Sequence, residues 1–96
     1  MQAVIRTYSG KGAAELLDLL ERNQAEIEAT MRAVPGLVSY TLVRTEAGGV
    51  AITVCQDQAG IEASTKIARE WVAANARGIA VAAPEVSTGR VVVRVP

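Results

Sequence analysis

The sequence predicts an α+β plait of element order βαββαβ, a four-stranded antiparallel sheet with both helices on one face. Three observations predict it. β-branched apolar runs recur at the start, twice in the middle and at the end of the chain. Two long stretches between them repeat apolar residues at helical spacing. The two middle runs are joined by a connection containing Gly48 and Gly49, which marks an antiparallel hairpin at the centre of the fold.

In chain order, Gln2 to Tyr8 reads as the first strand and Ser9-Gly10-Lys11-Gly12 as the turn that ends it. A strand, a Gly-Lys-Gly and a helix suggest a phosphate cradle, but the spacing and the Ser/Thr of a P-loop are missing, as is the third glycine of a dinucleotide fingerprint. A plain turn is the better reading. Ala13 to Val34 is predicted as one long helix: Leu16, Leu20, Ile27, Met31 and Val34 share a stripe that Leu17 widens. Asp18 with Arg22 and Glu28 with Arg32 are acid-before-base pairs worth about 0.2 to 0.5 kcal/mol each, and mark the solvated face. Asn23 and Gln24 interrupt the stripe, as a bend, a pocket wall or a frayed middle would. Pro35-Gly36 stops the helix.

The hairpin strands are Leu37 to Arg44 and Val50 to Cys55, with Thr45 to Gly49 between them. Asp57 is the expected N-cap of a helix over Gln58 to Arg77, with Gly78 as its left-handed C-terminal residue. Ile61, Ser64, Ala68, Trp71, Val72 and Asn75 fall on the inner stripe of that helix. Ile79 to Pro84 is an apolar linker. Glu85 to Val95 is the last strand, with a bulge or bend expected at Gly89.

The 96 residues predict a single domain over 1–96, and the 50% hydrophobic content argues against disorder. Ten basic and ten acidic side chains cancel and alternate in sign, which removes the electrostatic footprint of a nucleic-acid or membrane-surface binder. There is no histidine, so haem on a proximal His and His-based metal sites are excluded, and neither a metal nor another cofactor is expected. The single cysteine, Cys55, cannot hold an iron–sulfur cluster and suits a reducing compartment. No run reaches the roughly 18 apolar residues of a membrane span, so a cytoplasmic protein is the expectation.

The strands do not alternate as a half-covered sheet requires. Val91, Val92 and Val93 are consecutive, Leu37 and Val38 are adjacent, and Ala51 to Cys55 leaves only Thr53 polar. Both faces therefore need covering, and two helices cover one. A second copy of the same chain, in a two-fold homodimer, is the expected cover for the other.

Val34-Pro35-Gly36 with Ser39-Tyr40, Thr53-Val54-Cys55-Gln56-Asp57 with Gly60 and Ala63-Ser64, Ala68-Arg69-Glu70-Trp71-Val72, and Pro84-Glu85-Val86 with Gly89 together resemble the dimeric α+β-barrel proteins of ferredoxin-like fold, the group that includes the antibiotic biosynthesis monooxygenases. The resemblance covers nearly the whole chain as a pattern of elements. It implies two plaits with their sheets packed face to face, and in each a cleft between sheet and helices for a small hydrophobic or aromatic ligand. It also implies the activity of some members, oxygenation of phenolic, polyketide-like substrates without metal or flavin. There the electron-rich substrate anion itself reduces dioxygen, inside a dry cavity that hydrogen-bonds an oxyanion. The haem-degrading branch uses a histidine that this chain lacks.

For that chemistry Trp71, Asn75 and Tyr40 are the catalytic candidates, and Ser64, Arg44 and Trp71 the ligand-binding ones. Each has a plainer reading. Trp71 is a core anchor before it is a pocket wall. Ser64 back-bonds to its own helix. Asn75 serves a helix end, Tyr40 is a core residue with its hydroxyl at the rim, and Cys55 is an inert buried thiol. A binder of a small apolar molecule with no defined activity is the leading expectation, ahead of a cofactor-free monooxygenase and a structural dimer. RNA binding is disfavoured because Val50 to Cys55 offers no aromatic platform.

Overall fold

Alternation along the first strand sets the two faces of the sheet. In a computed structural model that describes residues 1–96, β1 (Gln2–Ser9) buries Val4, Arg6 and Tyr8 on one side and turns Ala3, Ile5 and Thr7 to the other. It is followed by α1 (Ala13–Arg22), α2 (Gln24–Arg32), β2 (Leu37–Thr45), β3 (Gly48–Cys55), α3 (Gln58–Asn75) and β4 (Glu85–Arg90). The strands form one antiparallel sheet in the order β2-β3-β1-β4, the α+β plait expected. No helix is long and apolar enough to cross a membrane.

The register pairs Val4 with Thr53, Arg6 with Ala51 and Tyr8 with Gly49, so these side chains share the helix-covered face. Leu16, Leu17 and Ile61 close over them and make the core. The other face carries Ile5 opposite Ile52 and Val43 opposite Val50, with Ile5 41% and Val43 42% exposed.

The long first helix is in fact two. Asn23 leaves helical geometry at φ −117° and ψ 30°, its Nδ2 donates to Leu19 O at 2.8 Å, and its backbone N–H bonds Leu20 O at 3.1 Å. An Asn side chain that competes for main-chain acceptors ends a helix locally. The break lets α1 lie on β1 and β3 while α2 lies on β2 and beside α3.

The hairpin connection is also shorter than expected. Only Glu46-Ala47 lie outside strands, because Thr45 pairs with Gly48. Gly49 adopts no positive φ and serves close approach: a Cβ there would stand 2.8 Å from the side chain of Leu17. Gly48, at φ 151°, lies under Tyr8 O and Ala13 Cβ in the same way. At the other end of β2, Gly36 takes φ 73° and frees the turn after Pro35 as expected.

Asp57 caps α3, with Oδ1 accepting from Gly60 N at 3.0 Å. That helix ends at Asn75 rather than Arg77, with Ala76 N bonded to Val72 O, and Gly78 takes no left-handed conformation; Ile79 N bonds Ala76 O in the turn that follows. β4 stops at Arg90, short of Val95. Gly89 pairs in register with Ala3 and makes no bulge; the irregularity falls instead between Leu37 and Ser39 of β2.

Candidate functional site

The helices do not close fully on the sheet, and three of the gaps they leave bear on the candidate residues. Beneath the junction of α2 and α3 is a chamber of about 30 Å³, floored by Arg6, Tyr8, Tyr40 and Ala51 and roofed by Met31 and Trp71. It has room for roughly one or two waters. On the β4 side of α3 the same Arg6 and Tyr8 open into a cleft of about 430 Å³. Thr65, Ala68 and Val72 of α3 form one wall of this cleft, and the linker Val81 to Pro84 with Val86 forms the other. A third hollow, about 340 Å³, lies on the opposite flank between α1, α2 and β2, where Glu21, Glu28 and Arg44 line it.

Trp71 and Tyr40 meet at the chamber. The indole N–H of Trp71 donates to Glu26 Oε1 at 3.2 Å, so it is already engaged. Tyr40 is half-buried, and burial raises its phenol above the ordinary value, with Tyr8 adding to the rise and Arg6 opposing it. Ser64 is fully buried and back-bonds to Ile61 O at 2.7 Å, while its oxygen also accepts from Arg6 Nη2 at 3.4 Å. Asn75 is exposed and donates to Trp71 O at 2.8 Å, one turn back on its own helix; it lines none of the three hollows. Arg44 lies out on the flank, bonded to Glu21 Oε1 at 2.7 Å and Asp18 Oδ1 at 2.8 Å. The geometry thus gathers Trp71, Tyr40 and, through Arg6, Ser64; Asn75 and Arg44 stay outside the chamber, although Arg44 shares the flank hollow with Tyr40. Cys55 is wholly buried, and its thiol is raised by burial and by Asp57.

The residue at the centre of the arrangement, Arg6, was not singled out from the sequence. It is 3% exposed and donates to Thr53 Oγ1 at 3.4 Å, Ser64 Oγ at 3.4 Å and Thr65 Oγ1 at 2.9 Å. Burial lowers its pKa below the ordinary guanidinium value, against the pull of Tyr8, Tyr40 and Cys55. The signal lay in the alternation Val4, Arg6, Tyr8, which puts a charge on the inward register of a strand.

No family model matches the chain, and no curated protein matches it either. Solved structures do share its fold. A monooxygenase of Streptomyces coelicolor in complex with nanaomycin D superposes with a TM-score of 0.70 at 16% identity, covering 99% of this chain and 90% of that one. A protein of unknown function from Nitrosomonas europaea gives 0.69 at 17% identity, over 99% and 92%. A heme-degrading protein of Mycobacterium tuberculosis gives 0.61 at 21% identity, over the full length of both. The fold of the antibiotic biosynthesis monooxygenases, expected from the resemblance, is therefore the fold observed. One scaffold serves different chemistries in these proteins, so function is argued from the site.

Proposed function

We propose that the protein binds a small apolar or aromatic molecule in the cleft between α3, the Val81 to Pro84 linker and the sheet. The observation that carries this reading is the cleft itself: about 430 Å³, mostly apolar, with Arg6, Tyr8, Thr65 and Arg69 as its few polar groups. Ligand sites have this size and this sparse polarity. The Streptomyces coelicolor protein, which has the same fold, binds nanaomycin D, and this adds support.

The test is a thermal-shift panel of phenolic and quinone compounds against the wild type and Ala73→Trp, which places an indole in the mouth of the cleft. Stabilisation by panel members that disappears in the variant supports the reading. No shift with any compound removes it.

A second reading is cofactor-independent monooxygenation of phenolic, polyketide-like substrates held in this cleft, favoured by Arg6 and Tyr8, which the cleft shares with the small chamber that Tyr40 and Trp71 line. The substrate anion would supply the electrons and dioxygen would be the oxidant. Oxygen consumption with the compounds that bind, lost in Trp71→Ala, is its test. A homodimer belongs to both readings, because Ile5, Val43 and Ile52 sit on the uncovered sheet face and Val92, Val93 and Val95 of the C-terminal segment are more than three-quarters exposed. Sedimentation at micromolar concentration checks it: a 10.1 kDa species would leave the structural dimer without support.

A further inference from the structure

Arg6 carries a charge that the protein's own groups leave unbalanced. Its contacts are three neutral hydroxyls, and its Nε meets no acceptor. All three salt bridges belong to Arg44 and Lys66. Tyr8, Tyr40 and Cys55 supply no compensating anion at neutral pH, since burial holds each of them protonated. A buried guanidinium without a counter-charge is costly, and a tether between β1 and α3 needs only a neutral donor such as an amide.

The cleft beside it is electrostatically one-sided. Its ionisable lining groups are Arg6, Tyr8 and Arg69, with no carboxylate among them, although the chain as a whole carries ten acidic side chains. The hollow on the opposite flank instead sets Glu21 and Glu28 against Arg44. Arg69 is exposed at the rim and Arg6 is buried at the floor, so positive potential runs inward between apolar walls, where low dielectric strengthens it.

We infer that Arg6 is an anion receptor, and that the cleft takes a molecule with an apolar body and a carboxylate or phenolate that pairs with the guanidinium. This rests on the cleft being the ligand site and specifies its ligand class. A planar guanidinium fork suits a carboxylate, and the buried Nε–H has no acceptor within the protein.

Calorimetric titration with 1-naphthoate and with 1-naphthamide separates charge from shape, since the two differ little in size. The expected result is naphthoate binding tighter by on the order of tenfold in the wild type, with the preference abolished in Arg6→Met. Circular dichroism establishes that the variant is folded; if it is not, Arg6→Lys replaces it and retains a reduced preference for the acid. Equal affinities in the wild type overturn the anion assignment while the cleft stands as a ligand site. A preference that survives in folded Arg6→Met overturns it too. Binding of neither probe overturns both this inference and the reading beneath it.

Discussion

Trp71 Nε1 donates to Glu26 Oε1 across 3.2 Å and so ties α3 to α2 over the chamber. Glu26 is exposed, so the bond itself contributes little; Glu26→Ala is expected to cost about 0.5–1.5 kcal/mol. The indole body is buried against the core, and Trp71→Ala is expected to cost about 3–5 kcal/mol. Urea denaturation of the two variants checks the ratio. A Trp71→Ala as mild as Glu26→Ala would show that the ring anchors nothing.

Gly60 lies in the first turn of α3, where alanine ordinarily stabilises a helix by about 1 kcal/mol. A Cβ here would sit 2.7 Å from Pro35 O and 2.9 Å from Cys55 Cβ. The clash outweighs the propensity, and Gly60→Ala is expected to destabilise by about 1–3 kcal/mol. Gly10→Ala is the control: nothing lies within 4 Å, and only the φ of +78° opposes the side chain, at about 1–2 kcal/mol. Melting temperatures of the pair measure which constraint is the stronger.

Tyr8 and Tyr40 are both raised above the ordinary phenol value of 10.0, first by burial. Folded chains keep these protons after unfolded chains release theirs, so the unfolded state binds fewer protons above pH 10.0 and stability falls as pH climbs through that point. Below it the two phenols contribute no pH dependence. Tyr8→Phe is expected to flatten the alkaline decline, read as urea midpoints across the alkaline range.

The buried, protonated thiol of Cys55 is expected to resist Ellman's reagent in the native state and to react once per chain in denaturant. Rapid native labelling would mean that β3 opens readily beneath α3.

Much of the fold was legible because strands, caps and stops announce themselves locally: Asp57 bonds the turn it precedes, and Gly36 reverses the chain where Pro35 forbids a helix to continue. What was misread depends on partners distant in sequence. Gly48 takes the positive φ of 151° that the connection leads one to expect, with Tyr8 and Ala13 close above it, whereas Gly49 takes none and is demanded by Leu17 alone. Gly78 has the type of a C-cap, but the helix ends three residues earlier, at Asn75, and the turn after it closes through Ile79 N on Ala76 O. At the candidate site, the type of Trp71 and Tyr40 marked them and they do meet, whereas Arg6 was passed over because a cation in a strand ordinarily points to water. Its inward register is displayed by the Val4, Arg6, Tyr8 alternation, but the groups that close over it, Thr53, Ser64 and Thr65, are distant in sequence.

The interruption at Asn23 also governs how the molecule can breathe. Had the helical layer been one beam, admitting anything larger than water to the chamber would mean lifting the whole layer off the sheet. As built, α2 is a nine-residue panel, shorter than the roughly 12–15 residues that hold a helix together unaided, and it is pinned chiefly by Ile27, Met31 and the Glu26 bond. Because α2 rests on β2 and α3 while α1 rests on β1 and β3, the contacts that close the chamber are separate from those that hold α1 on the sheet.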